Sequence, residues 1–422
     1  MHIELRSRLG KFLVAAVCFV GMCFYIQVAL RFFLAAHFAS SLEAPGLEKS
    51  IRLEPGNAEY YDLLGRNLVL SGPSLDPAIQ NLQTAVRLNP YEARYWLDLA
   101  GAYQIAGRTQ EQGDSVEQAA LADPTSPHVA WEAANFFVVQ GDADRALRYF
   151  RVVLANDPEA VNSALQLCWR ATGDVEKIVA QALPPIPEVY LSFLHLLITQ
   201  QETVGAETVW ANLVGLNKPF SGRLALPYFR LLITKQEPAA AKTAWEQLSR
   251  IDPSIKAYLP TRENLVINGG FEQNMLNGGF DWWYNTYPQA ALAIDTTEFR
   301  SGSRSLAVTF DGHSVPGAPI LQYVPVKPNT TYEFSAESRS EDIDTASGPR
   351  FAVVDAYTNQ SYVLTDDTLG TTPWRPQRAR FRTGPDTNLV LLEIVRDPAK
   401  PLIRGKFWVD DVTLTESATQ GS

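Results

Sequence analysis

The chain has 422 residues, a net charge of −10, three cysteines and five scattered histidines. So acidic a composition argues against a nucleic-acid partner, and three cysteines cannot build a disulfide framework. No paired-cysteine or His-x-x-x-His spacing occurs, which argues against a zinc or histidine-based metal centre.

The first element is an apolar run from Phe12 to Leu30, broken only by Gln27. At 1.5 Å per helical residue it spans about 28 Å, enough for a hydrocarbon core. Arg6, Arg8 and Lys11 precede it against a single Glu4. The excess of positive charge makes residues 1–11 a cytoplasmic basic tail and 12–36 a single-pass anchor, with everything after Arg31 beyond the membrane. A cleaved signal peptide is the competing reading. Its apolar region would be shorter, and Ala39-Ser40-Ser41 is the one candidate cleavage site. Cys18 and Cys23 lie in the span, and Cys168 stands alone downstream.

Next comes a proline on a regular beat. Pro55, Pro90, Pro124 and Pro158 close the phrases Leu-Glu-Pro, Leu-Asn-Pro, Ala-Asp-Pro and Asn-Asp-Pro, with a period of 34 or 35 residues. Between them recur apolar and small residues: Leu64, Gly65, Leu68, Ala78, Leu82 and Ala85, then Trp96, Leu99, Ala100, Tyr103 and Ala119. Ala133, Ala134, Phe137, Ala146 and Phe150 follow at equivalent places. This pattern resembles the tetratricopeptide repeat, whose paired helices bury their apolar faces by stacking on neighbours. Val161 to Pro187 reads as a shortened unit. Leu196 to Glu202 is echoed 35 residues later by Leu231 to Glu237, Trp210 by Trp245, and Leu213 by Leu248. The resemblance implies an α-solenoid of five to six repeats over 45–260, with a surface for a protein partner.

From about residue 262 the composition shifts to Thr, Val, Tyr, Gly and Pro in short alternating runs. Leu306–Phe310, Tyr332–Ala336, Arg350–Val354, Ala379–Arg382 and Phe407–Leu414 are strand-like, and turn signals separate them. The pattern predicts an antiparallel β-sandwich over 263–416, followed by a disordered tail at 417–422. The opening Asn264-Leu265-Val266-Ile267-Asn268-Gly269-Gly270-Phe271-Glu272 and the run Ser301-Gly302-Ser303-Arg304-Ser305-Leu306 are landmarks here. So are Val326–Tyr332, Trp374 and the closing Trp408-Val409-Asp410-Asp411-Val412. Together they resemble the jelly-roll carbohydrate-binding modules of the galactose-binding-like superfamily.

That resemblance implies a structural calcium held by Glu272 and by Asp410 or Asp411, with backbone carbonyls near Gly270 and Ser303 as helpers. The alternative leaves Glu272 and Asp411 as ordinary strand-end residues, solvated or paired with Arg304. No other cofactor is expected. Sugar recognition combines aromatic faces with planar polar groups, and Trp282, Trp283, Tyr284 and Tyr287 form the densest aromatic group. Tyr357, Asn359 and Tyr362 form a second. Neighbouring side chains in an extended segment point oppositely, so one of Trp282 and Trp283 is core and the other is free for a ligand. Trp374 and Trp408 are assigned to the core.

No Gly-x-Ser-x-Gly, phosphate loop or His–Cys couple occurs, and the pairs Asp366-Asp367 and Asp410-Asp411 diverge in a strand, so no enzyme is expected. The fold class is therefore multidomain: an N-terminal transmembrane helix, an all-α tetratricopeptide-like solenoid and an all-β antiparallel jelly roll. The absence of disulfides suggests a bacterial envelope. There the chain would be a single-pass inner-membrane protein, N-terminus in, with its body in the periplasm or extracytoplasmic space. By analogy with proteins of this domain pairing, the expectation is an envelope scaffold whose solenoid takes a protein and whose jelly roll takes glycan, accessory to exopolysaccharide or cell-surface glycan assembly. A pure protein-interaction scaffold with a sandwich that binds no sugar is the alternative.

Overall fold

The computed structural model describes residues 8–71 and 74–417. Arg6, Glu4 and most of the basic tail, the Gly72-Pro73 turn and the tail from 418 lie outside the described residues. The chain divides into two compact units, Met1–Pro184 and Pro185–Ser422.

The first unit opens with helix α1 (Arg8–Ala39), which is long and apolar enough to cross a membrane. Phe12, Val17, Phe19, Val20, Phe24 and Tyr25 stand bare along it. Its last turns differ. Ala35 and Ala39 are buried against Leu47, Tyr60 and Leu64, and Ser50 Oγ donates to the Ala35 carbonyl at 2.7 Å. The apolar helix thus runs unbroken into a helix pair with α2 (Ala44–Leu53).

Helix pairs follow at the period of the proline phrases. They are α3 (Ala58–Ser71) with α4 (Asp76–Leu88), α5 (Ala93–Ile105) with α6 (Thr109–Ala122), and α7 (Pro127–Val139) with α8 (Ala143–Asn156). A shortened pair, α9 (Val161–Thr172) and α10 (Val175–Gln181), closes the unit. The phrases act as caps. Asp123 and Asp157 end α6 and α8, and their Oδ1 atoms accept from the amides of Ser126 and of Glu159 and Ala160, closing the turn into the next helix; Ser126 Oγ then caps α7 by accepting from the Val129 amide. Helices cross closely where side chains are small. A Cβ on Gly65 would sit 2.5 Å from Leu82 Cγ, and Ala119 and Ala146 are fully buried. The α5–α6 and α7–α8 turns each use one left-handed residue, Gly107 at φ +69° and Gly141 at φ +74°.

The second unit begins with two more pairs, α11 (Pro187–Thr199) with α12 (Thr203–Gly215) and α13 (Leu226–Thr234) with α14 (Pro238–Ile251). Gln201 and Gln236, equivalent in the sequence echo, both take φ +62° at the turn where the earlier repeats use glycine. Trp210 and Trp245, also equivalent, are both buried.

Among the described residues, ten strands complete this unit. They are β1 (Trp283–Tyr284), β2 (Ala290–Asp295), β3 (Ser305–Asp311), β4 (Gly317–Pro325), β5 (Thr331–Asp344), β6 (Arg350–Asp355), β7 (Ser361–Leu364), β8 (Gly370–Arg382), β9 (Leu389–Val395) and β10 (Arg404–Glu416). One sheet has the order β1-β4-β9-β6-β7 and the other β2-β3-β10-β5-β8, with antiparallel pairings throughout. Leu306, Val308, Phe334, Phe351, Leu392, Phe407 and Val409 fill the space between them. Of the two tryptophans assigned to the core, one is buried and one is not. Trp408 is buried, but strand alternation turns it away from the Phe407–Val409 core, and its indole N–H donates to Asp295 Oδ2 at 2.9 Å. Trp374 is only half-buried, because β8 is an edge strand and nothing covers that position fully.

Within the second unit the sandwich packs on the preceding helices. The Trp245 ring meets Phe280 edge-on, with centroids 6.1 Å apart, and its N–H donates to the Tyr258 carbonyl at 2.7 Å. Tyr258 donates in turn to the Asn274 carbonyl.

Candidate glycan groove and acidic corner

Trp282 and Trp283 are neighbours in an extended segment and face opposite ways. Trp282 is 2% exposed, stacks on Phe271 with centroids 5.2 Å apart and donates to the Asn268 carbonyl. It therefore has no face to offer a sugar. Trp283 lies on the other side, opposite Leu321 of β4. Its N–H donates to the Gly279 carbonyl at 2.8 Å, its ring meets Tyr323 edge-on, and the Arg230 guanidinium of α13 lies 4.7 Å over it.

These residues line a groove of about 230 Å³ together with Tyr284, Tyr287, Asn277, Asn285 and Glu393. Glu393 is half-buried, and burial pushes its carboxyl pKa up. Burial likewise raises Tyr323, against a lowering by Arg230. Tyr357 belongs to the same neighbourhood. Its phenol is pushed up to about 12, first by burial and then by Tyr323, Asp355 and Glu237, and its buried hydroxyl has no hydrogen-bond partner. Tyr362 does not join this group. It stacks on Phe381, bonds to Thr387 and packs against the sandwich core.

Sequence reasoning missed Arg230, Tyr323 and Glu393. The runs around Tyr323 and Glu393, Ile320-Leu321-Gln322-Tyr323-Val324 and Leu389-Val390-Leu391-Leu392-Glu393, carry apolar residues on both faces, with the polar Gln322 on the inward one. The period-2 signal of a half-exposed strand is therefore absent. An apolar run with one embedded Tyr or Glu was the available clue.

The residues expected around calcium do meet at one corner. Glu272 accepts from the Ser303 amide at 2.7 Å, from Ser303 Oγ at 2.8 Å and from the Arg304 amide at 3.1 Å. Those bonds hold its carboxyl below the usual carboxylate range. Asp410, fully buried, accepts from the Arg300 and Ser301 amides, and Asp411 accepts from Ser301 Oγ at 2.6 Å. A Cβ on Gly270 would lie 3.7–3.9 Å from atoms of Asp410, Asp411 and Glu272. Arg304 turns its guanidinium to Asn274 rather than to Glu272. Among the described residues, no group of three or more His, Cys, Asp or Glu side chains is arranged to hold a metal ion. The corner nevertheless offers only hard oxygen donors, the chemistry calcium prefers, and a cation there would also draw on hydroxyl and backbone carbonyl oxygens.

On the helical side of the first unit, Leu70, Ile105 and Val139 end the first helix of three successive repeats and are 89%, 62% and 81% exposed. These exposed apolar groups recur at equivalent positions of the repeats.

Residues 263–400 match the family model of a carbohydrate binding domain. The chain thus pairs tetratricopeptide-like helical repeats with a carbohydrate-binding-module-like sandwich. Among solved structures it is similar to a CBM4 domain, at 13% identity over 36% of this chain and 99% of that one, with a TM-score of 0.29. It is also similar to the CBM22-1 xylan-binding domain of Paenibacillus barcinonensis Xyn10C, at 14% identity over 35% of this chain and 91% of that one, TM-score 0.27. A tetratricopeptide repeat protein from Parabacteroides merdae is similar at 13% identity over 54% of this chain and 96% of that one, TM-score 0.31. No curated protein matches the sequence.

Proposed function

We propose that this chain is a membrane-anchored, non-enzymatic scaffold of a bacterial envelope, accessory to exopolysaccharide or cell-surface glycan assembly. Its repeats hold a protein partner and its sandwich binds glycan. The observation that carries the glycan reading is the groove beside Trp283. It sets Tyr284, Tyr287 and Tyr323 among the planar polar groups of Asn277, Asn285 and Glu393, the mixture that sugar recognition demands. Glu393 is the only carboxylate on its lining. Glycoside hydrolysis uses two, which supports binding without turnover. Titrating the full chain in detergent against bacterial polysaccharides tests the reading. Saturable binding that Glu393→Gln weakens is expected, and no binding to any glycan would overturn it.

A second reading has one observation in its favour. Arg230 lies on the Trp283 ring, so that indole also ties the sandwich to α13, as a pure protein scaffold would require. Such a scaffold would capture its protein partner through the Leu70–Ile105–Val139 row and bind no sugar.

The apolar stretch of α1 and the charges before it support a retained anchor, N-terminus in the cytoplasm. A reporter fused after Ser422 should be active only outside the cytoplasm, and cytoplasmic activity would reverse the assignment. Calcium at the acidic corner would be structural. Glu272, Asp410, Asp411 and Ser303, with the carbonyl near Gly270, would hold it, and it would tie the opening segment of the sandwich to its last strand.

A further inference from the structure

We infer that the groove reads a carboxylate-bearing sugar through Arg230, so that helix α13 and the sandwich build one site for an acidic glycan. This rests on the glycan reading above and adds the ligand class.

The guanidinium of Arg230 lies 4.7 Å over the Trp283 ring. That contact covers one face of the indole, leaving less of it for a neutral pyranose to stack on. A guanidinium over an aromatic face is held there by the ring quadrupole and can keep its N–H donors for another partner. Some arginines of this sandwich, by contrast, pair with carboxylates: Arg300 with Glu337 at 3.4 Å, Arg339 with Glu298 at 3.1 Å and Arg350 with Asp367 at 3.3 Å. Arg230 has no ion pair or hydrogen bond among the described residues, although it lines the groove. A stacked, unpaired guanidinium at a cavity is preorganised for a planar anion, which it binds with two parallel hydrogen bonds.

The rest of the groove suits a sugar ring rather than an inorganic ion. Asn277, Asn285 and Tyr287 supply amide and hydroxyl partners. Glu393 is raised by burial alone, with no cation offsetting it. Its carboxyl is therefore neutralised more readily than an exposed one, and it can share a hydrogen bond with a sugar hydroxyl. A chain of net charge −10 repels polyanions at long range, so an acidic glycan would need such a local, oriented cation to be held.

The test uses the full chain in detergent with three probes: tri-galacturonate, neutral xylohexaose and a hexaglutamate peptide. Tri-galacturonate should bind at least about tenfold more tightly than either of the others, and added salt should weaken it. Arg230→Gln should lower that affinity by about tenfold or more. Arg230→Lys, which keeps the charge but loses the fork, should fall between. Thermal melting of each variant separates lost binding from lost fold, and the probe comparison on the unaltered chain needs no variant. If xylohexaose binds as well as tri-galacturonate, or Arg230→Gln leaves tri-galacturonate binding unchanged, the acidic-ligand inference falls while the glycan reading stands. Hexaglutamate bound equally well through Arg230 would reassign the site to a peptide carboxylate. Binding of none of the probes overturns this inference, and silence across the wider polysaccharide set overturns the glycan reading with it.

Discussion

Trp282 hands its indole proton to a carbonyl inside the core, while Trp283, one position on, serves as a table for Arg230. Truncating them should have different consequences. Trp282→Ala opens a cavity beside Phe271 and should cost about 3–5 kcal/mol of folding stability. Trp283→Ala should cost less and act mainly on the groove. Denaturant unfolding of both variants checks this, and equal losses would show that alternation does not govern the segment. Asp281, immediately before them, is fully buried and has its pKa pushed up to about 7, chiefly by burial against the opposing amides of Leu276 and Trp282. The sign follows from linkage. The folded state keeps the proton that the unfolded chain releases near pH 4, so this group's contribution to stability falls as pH rises from about 4 to 7. Asp281→Asn should therefore gain stability relative to the parent over that window. An unchanged difference between pH 4 and 7 would mean that Asp281 titrates normally.

Among the elements, the loop before β1 decides how sandwich and helix meet. Gly279 sits at φ +63°, and a Cβ there would lie 2.2 Å from Trp245 Cζ3. The ring cannot retreat, being edge-packed on Phe229 at 4.9 Å and hydrogen-bonded to the Tyr258 carbonyl. Gly279→Ala should cost roughly 2–4 kcal/mol, combining left-handed strain with overpacking. Gly370→Ala is the control. It shares the left-handed φ at +65° but meets nothing within 4 Å, so it carries only the backbone cost. Matched denaturation curves for the two variants would show that the Trp245 contact does not hold the sandwich to α14.

For the whole molecule, the calcium proposal is a statement about stability. A ligand that binds only the folded chain stabilises it by about 2.7 kcal/mol at a hundredfold excess over its Kd. Chelator should lower the melting of the full chain, and Glu272→Gln should abolish that difference. Melting indifferent to chelator would leave Glu272 as a loop-capping carboxylate serving Ser303 and Arg304, a role the structure already gives it.

Elements whose signal is local or periodic were legible in the sequence. The anchor-length helix is a run of apolar side chains, and the repeats carry a proline, a capping Asp or Asn and small residues at fixed spacing. The edges of the sandwich carry turn chemistry, and the residues of the acidic corner lie in recognisable phrases at either end of the domain. The groove was only partly legible. Trp283, Tyr284 and Tyr287 are contiguous aromatics, but Tyr323 and Glu393 sit in strands that carry apolar residues on both faces, where alternation gives no sign of an exposed side. Arg230 comes from a helix that precedes the sandwich, and no spacing rule links it to Trp283. Which tryptophan faces inward, which residue lies on its partner and whether that arginine is left without a counter-ion depend on how sheet and helix pack. Those contacts join positions distant in the chain, and only the tertiary structure decided them.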